Sequence, residues 1–188
     1  MNLPNKLTLL RLALTVFFVV SLCLSFPWHL PVALGIFLLA TLTDYLDGEI
    51  ARRFHLITDF GKLMDPLADK ILTASAFICL IPYQAIPAWA AIIIISREFL
   101  ITGLRLLASS KGAILPAEKL GKHKTAWQMI TILYFLSLLA ANEAGFSGVA
   151  FDFLWSKGGA ALVTVTVILT LSSGLTYLWK NRSLLEAA

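Results

Sequence analysis

Long runs of apolar residues, separated by short polar stretches, make up most of this chain. A helix that crosses a lipid bilayer needs about 20 mostly apolar residues. The runs predict transmembrane helices at residues 7–26, 30–45, 67–80, 86–107, 126–141 and 159–179. We therefore expect an all-α integral membrane bundle of six transmembrane helices, folded as a single domain over residues 1–188.

The second and third runs are too short to cross a bilayer unless each helix continues into the polar stretch between them. We expect residues 44–51 to prolong the second helix and the residues before 67 to prolong the third. At the N-terminus, MNLPNKLTLLR also has the composition of a short amphipathic helix that lies on the membrane surface. The apolar run leads into FPWHLP instead of a small-residue cleavage site, which favours a retained helix over a signal peptide.

Composition and charge placement agree with a membrane location. Hydrophobic residues make up 59% of the chain and charged residues 14%, against roughly 45–50% and about 25% in soluble domains. Lys and Arg concentrate at both termini and after the second and fourth helices, whereas the turns at 27–30 and 81–86 have none. The positive-inside rule then places both termini in the cytoplasm. The two cysteines lie in apolar runs and the three histidines lack zinc-site spacing.

An acidic stretch, DYLDGEIARRFHLITDFGKLMDPLADK, joins the second helix to the third and holds six of the eleven acidic residues. Asp44 and Asp47 are three apart and Asp65 and Asp69 are four apart, so each pair shares one face of a helix. The two lysines of the stretch are too few to neutralise these carboxylates and do not share their face. Divalent cations that prefer oxygen ligands, such as magnesium, manganese or calcium, would neutralise them.

Small residues and an arginine accompany these acids. Gly48, Ala51 and Gly61 keep the helix surfaces open to a ligand or to a second backbone. Arg52 suits an anion, because its planar guanidinium binds two phosphate oxygens at once. Metal, arginine and an open cleft together indicate a pyrophosphate site. As an alternative for one acid, Asp65 followed by a proline reads as the N-cap and first residue of a helix.

The spacing of these residues resembles the signature of the CDP-alcohol phosphatidyltransferases. The positions of the pattern D-x2-D-G-x2-A-R-x8-G-x3-D-x3-D are Asp44, Asp47, Gly48, Ala51, Arg52, Gly61, Asp65 and Asp69. The resemblance implies a six-helix membrane enzyme with two divalent cations, Mg²⁺ or Mn²⁺. It implies metal ligation by Asp44, Asp47, Asp65 and Asp69, with Asp69 also the general base on the acceptor hydroxyl. It further implies that the CDP group is lined by Gly48, Ala51, Arg52, Thr58 and Gly61.

A second group of charges follows in SREFLITGLR and KGAILPAEKLGKHKTAWQM. Arg97 interrupts an apolar helix, and an ionisable residue inside a membrane is a functional candidate. Arg105 is eight residues further on, about 80° around the helix, so both arginines can face one cavity. Pairing with Glu98 is the structural alternative for Arg97. Attraction to lipid headgroups is the alternative for the lysines at 111 and 119.

Several cations beside a metal centre indicate an acceptor that itself carries phosphate. These segments, with the opening MNLPNKLTLLR, resemble bacterial family members that use glycerol 3-phosphate as the acceptor and CDP-diacylglycerol as the donor. That resemblance implies an acceptor pocket of Arg97, Arg105, Lys122 and Lys124. Inositol phosphate and phosphatidylglycerol remain alternative acceptors.

The same resemblance implies a homodimer in the bacterial cytoplasmic membrane, in contact with membrane lipids, with its active site facing the cytoplasm. We expect no nucleic-acid partner. A small cation transporter is the alternative from another class. Transport predicts ionisable residues spread through the membrane depth or two related halves, whereas the acids here concentrate at one membrane boundary.

Overall fold

The computed structural model describes residues 3–53, 59–110 and 119–182, and they form helices joined by short turns. The helices are α1 (Leu3–Cys23), α2 (His29–Arg53), α3 (Asp59–Cys79), α4 (Ala88–Ser110), α5 (Lys119–Glu143), α6 (Val149–Phe153) and α7 (Gly159–Lys180). A π-helical turn, Leu154–Gly158, joins α6 to α7. The side chains at 3–4, 45–63, 65–66, 110, 119–120 and 122 lie outside the description. Because the described part contains no strand, the all-α expectation is confirmed there.

The predicted extensions of the second and third helices are confirmed. α2 continues past Asp44 to Arg53, and α3 begins at Asp59, well before the apolar run. Asp65 therefore lies inside α3, and the alternative that it is an N-cap is wrong.

The expected surface helix at the N-terminus is not separate from the first apolar helix. α1 runs unbroken from Leu3 to Cys23. Asn5, Thr8 and Arg11 are buried against the bundle, while apolar neighbours such as Leu10 are exposed. A surface helix would show its polar face to water, so the alternative of a separate surface helix is wrong.

Three helices of the described residues are long and apolar enough to cross a membrane, judged by length and composition. They are Asn5–Cys23, His123–Glu143 and Val149–Lys180, and a shorter apolar helix covers His29–Asp44. α4 has the length for a span but carries Arg97, Glu98 and Arg105. Crossing by all six predicted helices therefore stays a prediction.

The bundle has an apolar half and a polar half. At the end where α1 finishes and α2 starts, large apolar side chains fill the core, and the rings of Phe18 and Phe37 lie 5.4 Å apart. The other half lies where α1 starts and α2 ends. Its buried polar residues are Asn5, Thr8, Arg11, Thr15, Thr73, Lys124, Gln128, Thr131, Thr166, Thr170 and Ser173. Burying so much polarity in a membrane bundle is costly, so this half is the place to look for function.

α5 and α7 pack closely because glycines remove side chains from their contact. A Cβ added at Gly159 would lie 2.8 Å from the ring of Phe135, and one added at Gly158 would overlap the hydroxyl of Tyr134. Deeper along the same pair, the Oγ1 atoms of Thr131 and Thr166 are 2.8 Å apart and share a hydrogen bond. Close approach and interhelical hydrogen bonds are the usual sources of association between helices in lipid.

Glu143 links α5 to the start of α2 at the apolar end of the bundle. Its Oε2 accepts a hydrogen bond of 2.9 Å from the backbone N–H of Leu30, and its Oε1 lies 3.2 Å from Nδ1 of His29. The carboxylate of α5 thus satisfies a free donor in the first turn of α2. This contact lies at the opposite end of α2 from the acidic residues, and holds α2 and α5 in register.

Candidate active site

Asp44 stands at the boundary of the polar half, paired with an arginine of α1. Arg11 Nη1 lies 2.7 Å from Asp44 Oδ1, and the arginine side chain is fully buried while that of Asp44 is 46% exposed. The guanidinium therefore approaches from inside the bundle and leaves the outer side of the carboxylate open. The acidic stretch itself offers only lysines as counter-charges, and they are too few. Arg11 comes from another helix, so the pattern within the stretch did not predict it.

Arg11 belongs to a polar stripe along α1 that sequence reasoning also missed. Asn5, Thr8, Arg11 and Thr15 are all buried, and their spacing of three or four residues puts them on one helix face. The signal was present in the sequence as helical periodicity of polar residues within an apolar run. The N-terminal charges were interpreted instead as a topology signal, which does not predict where a side chain points.

Asp69, on α3, lies in the same electrostatic environment. The charges of Asp44, Arg11, Lys70 and Lys124 all act on its carboxylate. The structure thus brings together one predicted acid from α2, one from α3 and a predicted pocket lysine from α5. In such a group, the cationic side chains can bind an anion, and the carboxylates can bind a cation or accept a proton.

The other predicted ligands lie partly outside the described residues. Asp47 and Asp65 are in α2 and α3, one turn from Asp44 and Asp69 respectively, but their side chains are outside the description. The same holds for the predicted donor-site residues Gly48, Ala51, Arg52 and Gly61 and for Lys122 of α5, whereas Thr58 lies wholly outside the described residues.

The described acids fit a hard divalent cation in their chemistry. Asp44 and Asp69 offer carboxylate oxygens, the donors that Mg²⁺ and Mn²⁺ prefer, and Asp44 is open to a ligand. Among the described side chains, no three of His, Cys, Asp and Glu come together as a metal site. A complete ligand set therefore requires carboxylates beyond these two, and Asp47 and Asp65 are the nearest in sequence.

Glu98 joins two of the predicted acceptor-pocket cations. Its Oε1 accepts hydrogen bonds from Nζ of Lys124 and from Nη1 of Arg97, the latter at 3.2 Å. Lys124 is only 1% exposed, so this carboxylate provides compensation for a charge inside the bundle. The pairing of Arg97 with Glu98, given as its structural alternative, is thus present. Because both cations bind the same carboxylate oxygen, this pairing fixes Arg97 beside Lys124.

Arg105 and Lys70 complete the cationic group. Arg105 Nε donates to the hydroxyl of Tyr177 at 3.2 Å, and its guanidinium lies 5.5 Å from the centre of that ring. Lys70 Nζ donates to Oγ1 of Thr102 on α4. The charges of both Arg97 and Arg105 act on Lys70, so the expectation that the two arginines face one region agrees with this arrangement.

Comparison with known proteins identifies the family behind this arrangement. The family model for CDP-alcohol phosphatidyltransferase matches residues 1–172, which include every charged residue discussed above. The chain belongs to the CDP-alcohol phosphatidyltransferase family. This membership confirms the resemblance read from the aspartate, glycine, alanine and arginine spacing.

Three relatives from different bacteria carry the same descriptive name, CDP-diacylglycerol–glycerol-3-phosphate 3-phosphatidyltransferase. The Bacillus subtilis protein is 39% identical, over 100% of this chain and 98% of its own length. The Rickettsia bellii protein is 32% identical over 94% and 93%, and the Pseudomonas fluorescens protein 34% identical over 95% and 89%. The similarity therefore extends over nearly the whole length of each of these proteins.

Proposed function

We propose that this member of the CDP-alcohol phosphatidyltransferase family transfers the phosphatidyl group of CDP-diacylglycerol to sn-glycerol 3-phosphate. The products are phosphatidylglycerophosphate and CMP. The observation that carries the proposal is a linked group of four cations. Lys70 and Lys124 act electrostatically on the Asp69 carboxylate. Arg97 shares Glu98 with Lys124, and Arg97 and Arg105 both act on Lys70. An uncharged acceptor alcohol would not need these charges, whereas a phosphate monoester would. The names of the bacterial relatives support the same acceptor.

Asp69 is the proposed general base. The acceptor hydroxyl oxygen forms a bond to the lipid-bearing phosphorus, the bond from that phosphorus to the CMP oxygen breaks, and Asp69 takes the hydroxyl proton. Arg97, Arg105, Lys122 and Lys124 hold the phosphate of the acceptor. Gly48, Ala51, Arg52, Thr58 and Gly61 line the CDP group of the donor.

Two divalent cations, Mg²⁺ or Mn²⁺, belong to the proposed site. Asp44, Asp47, Asp65 and Asp69 would hold them, and their chemistry is to stabilise the negative charge on the pyrophosphate. Supporting this, Asp44 and Asp69 present hard oxygen donors, and the Asp44 carboxylate is open on the side away from Arg11.

The proposed topology has six membrane crossings within one domain of residues 1–188. Both termini and the polar half then face the cytoplasm of a bacterial inner membrane, and the enzyme forms a homodimer. Single cysteines test the orientation. The variants Lys180→Cys and Lys157→Cys are made in a background without Cys23 and Cys79. A membrane-impermeant thiol reagent should label Lys180→Cys only from the cytoplasmic side and Lys157→Cys only from the outer side.

The decisive experiment measures CMP release by the purified protein with CDP-diacylglycerol and one acceptor at a time. The acceptors are glycerol 3-phosphate, inositol phosphate, serine and phosphatidylglycerol, each with Mg²⁺, with Mn²⁺ and with EDTA. We expect metal-dependent turnover with glycerol 3-phosphate. Turnover with a different acceptor alone would overturn the acceptor assignment, and no turnover with any would overturn the enzymatic proposal.

A matched pair of variants tests the metal assignment. Asp44→Asn removes a proposed ligand, and Asp152→Asn makes the same change at an exposed acid of α6 in the apolar half. We expect Asp44→Asn to abolish the thermal stabilisation by Mn²⁺, and Asp152→Asn to retain it. Equal responses would contradict the assignment of Asp44.

A further inference from the structure

Two uncharged residues of α7 each contact one arginine of α4. Tyr177 accepts the hydrogen bond from Arg105 Nε at 3.2 Å and lies beneath its guanidinium. A Cβ added at Gly174 would lie 3.1 Å from Arg97 Cγ. The two residues are three apart on one face of α7, so a single helix surface meets both arginines.

Tyr177 restricts an otherwise adaptable side chain. Arg105 is exposed, and a long arginine side chain loses considerable rotational freedom when it is held in one orientation. Tyr177 is itself 2% exposed, so its ring and hydroxyl form a fixed support. The contact uses Nε, whereas the two terminal nitrogens of a guanidinium are the pair that can bind two oxygens of one phosphate.

Gly174 makes room for the stem of Arg97. At 3.1 Å, a methyl group would be tighter than ordinary van der Waals contact, so the arginine would have to shift by a few tenths of an ångström. The head of Arg97 is already tied to Glu98 at 3.2 Å, and Glu98 also binds Lys124. A shift of Arg97 caused by a methyl group at Gly174 would therefore disturb Glu98 and, through Glu98, also Lys124.

We propose that Gly174 and Tyr177 are positioning residues for the acceptor phosphate, acting through Arg97 and Arg105. This inference rests on the proposed function, because it assigns the two arginines to the acceptor. Neither residue carries charge, so neither attracts phosphate by itself. Their effect is to place the two guanidinium groups of α4 at fixed positions, that of Arg97 beside Lys124. The guanidinium of Arg105 acts electrostatically on Lys70.

Tyr177→Phe is the sharpest test, because it removes one oxygen and keeps the ring. In steady-state assays of CMP release, we expect the Michaelis constant for glycerol 3-phosphate to rise about fivefold, the effect of losing one hydrogen bond. The Michaelis constant for CDP-diacylglycerol should stay unchanged. Gly174→Ala should raise the same constant for glycerol 3-phosphate by a smaller factor and provides a second, independent variant.

Matched controls separate positioning from general loosening of the bundle. Tyr134→Phe removes a phenol hydroxyl that donates to the Leu154 carbonyl at 2.7 Å, at the apolar end. Gly103→Ala adds a methyl group on α4 that, among the described residues, meets no atom within 4 Å beyond its chain neighbours and the surrounding helix backbone. Both controls should keep wild-type Michaelis constants for both substrates.

The outcomes distinguish the two proposals. If the wild type turns over glycerol 3-phosphate and both Tyr177→Phe and Gly174→Ala keep the wild-type Michaelis constant for it, the positioning role of α7 is overturned. The proposed function is not affected by that result. An equal rise for both substrates, or the same rise in Tyr134→Phe, would also overturn the positioning role. Absence of wild-type turnover with glycerol 3-phosphate would overturn the proposed function and this inference together.

Discussion

Arg11 of α1 and Asp44 of α2 form an ion pair with 2.7 Å between Nη1 and Oδ1, fully buried on the arginine side and nearly half exposed on the aspartate side. Arg11 is thus held inside the bundle, while the outer side of the Asp44 carboxylate is accessible to solvent. Asp44 and Arg11 both act on Asp69, with opposite sign. Arg11 therefore compensates carboxylate repulsion from within the bundle.

Arg11→Met should destabilise the metal-free protein by about 2 kcal/mol, below the roughly 3–5 kcal/mol for breaking a fully buried pair, because Asp44 is partly solvated. The free energy of unfolding in a mixed-micelle denaturation assay with EDTA measures this. Added Mn²⁺ should stabilise the variant more than the wild type, since the cation replaces the lost positive charge. Lys6→Met removes an exposed charge from the same helix and should change neither quantity. An equal loss in both variants would contradict the pairing role.

Asp69→Asn should reduce turnover by roughly 10²- to 10⁴-fold, the usual contribution of a general base, because an amide cannot take the acceptor proton. Binding of CDP-diacylglycerol, measured by equilibrium dialysis of a labelled donor, should be retained. Asp152→Asn is the matched control and should keep full turnover. If donor binding disappears along with activity, Asp69 acts chiefly in holding metal.

Lys124→Met should raise the Michaelis constant for glycerol 3-phosphate roughly tenfold to a hundredfold, as expected for a charged hydrogen bond of about 1.5–3 kcal/mol. The constant for CDP-diacylglycerol should change much less. Lys157→Met, at an exposed lysine of the π-helical turn, should leave both constants as in the wild type. Equal effects of Lys124→Met on both substrates would contradict the acceptor pocket.

The hydrogen bond between Thr131 and Thr166 should contribute about 0.6 kcal/mol and not more than about 1.7 kcal/mol, the range measured for side-chain hydrogen bonds between membrane helices. A double-mutant cycle with valine at each position, followed by the free energy of unfolding, measures the coupling. Thr164→Val is the control, because its hydroxyl donates within α7, to the Ala160 carbonyl at 2.8 Å. A coupling near zero would show that packing alone joins α5 and α7.

The sequence was sufficient to predict the helices and the family, for physical reasons. The second and third apolar runs had to be prolonged to cross a bilayer, which placed Asp47 and Asp65 on helices, as α2 and α3 have them. The start of α5 was predicted too late, at 126 instead of Lys119, because its basic residues were interpreted as a loop. The burial of Lys124 depends on Glu98, 26 residues away, and local sequence patterns do not show such pairs.

The residues that were missed share one property: each acts through a partner on another helix. Arg11 depends on Asp44, and Tyr177 depends on Arg105. A periodic polar stripe such as the one on α1 indicates that a helix has a buried polar face. It does not indicate which helix will cover that face, and this requires the three-dimensional packing.

The buried arginine of α1 also has a consequence for how the protein is made. During synthesis α1 emerges before α2, and Asp44 follows Arg11 by 33 residues along the chain. An arginine at the centre of an inserting helix costs about 2.5–3.5 kcal/mol, which the leucines, valines and phenylalanines of α1 must offset. The ion pair can form only after α2 has been made and packs beside α1. We therefore expect α1 and α2 to leave the insertion machinery as a pair.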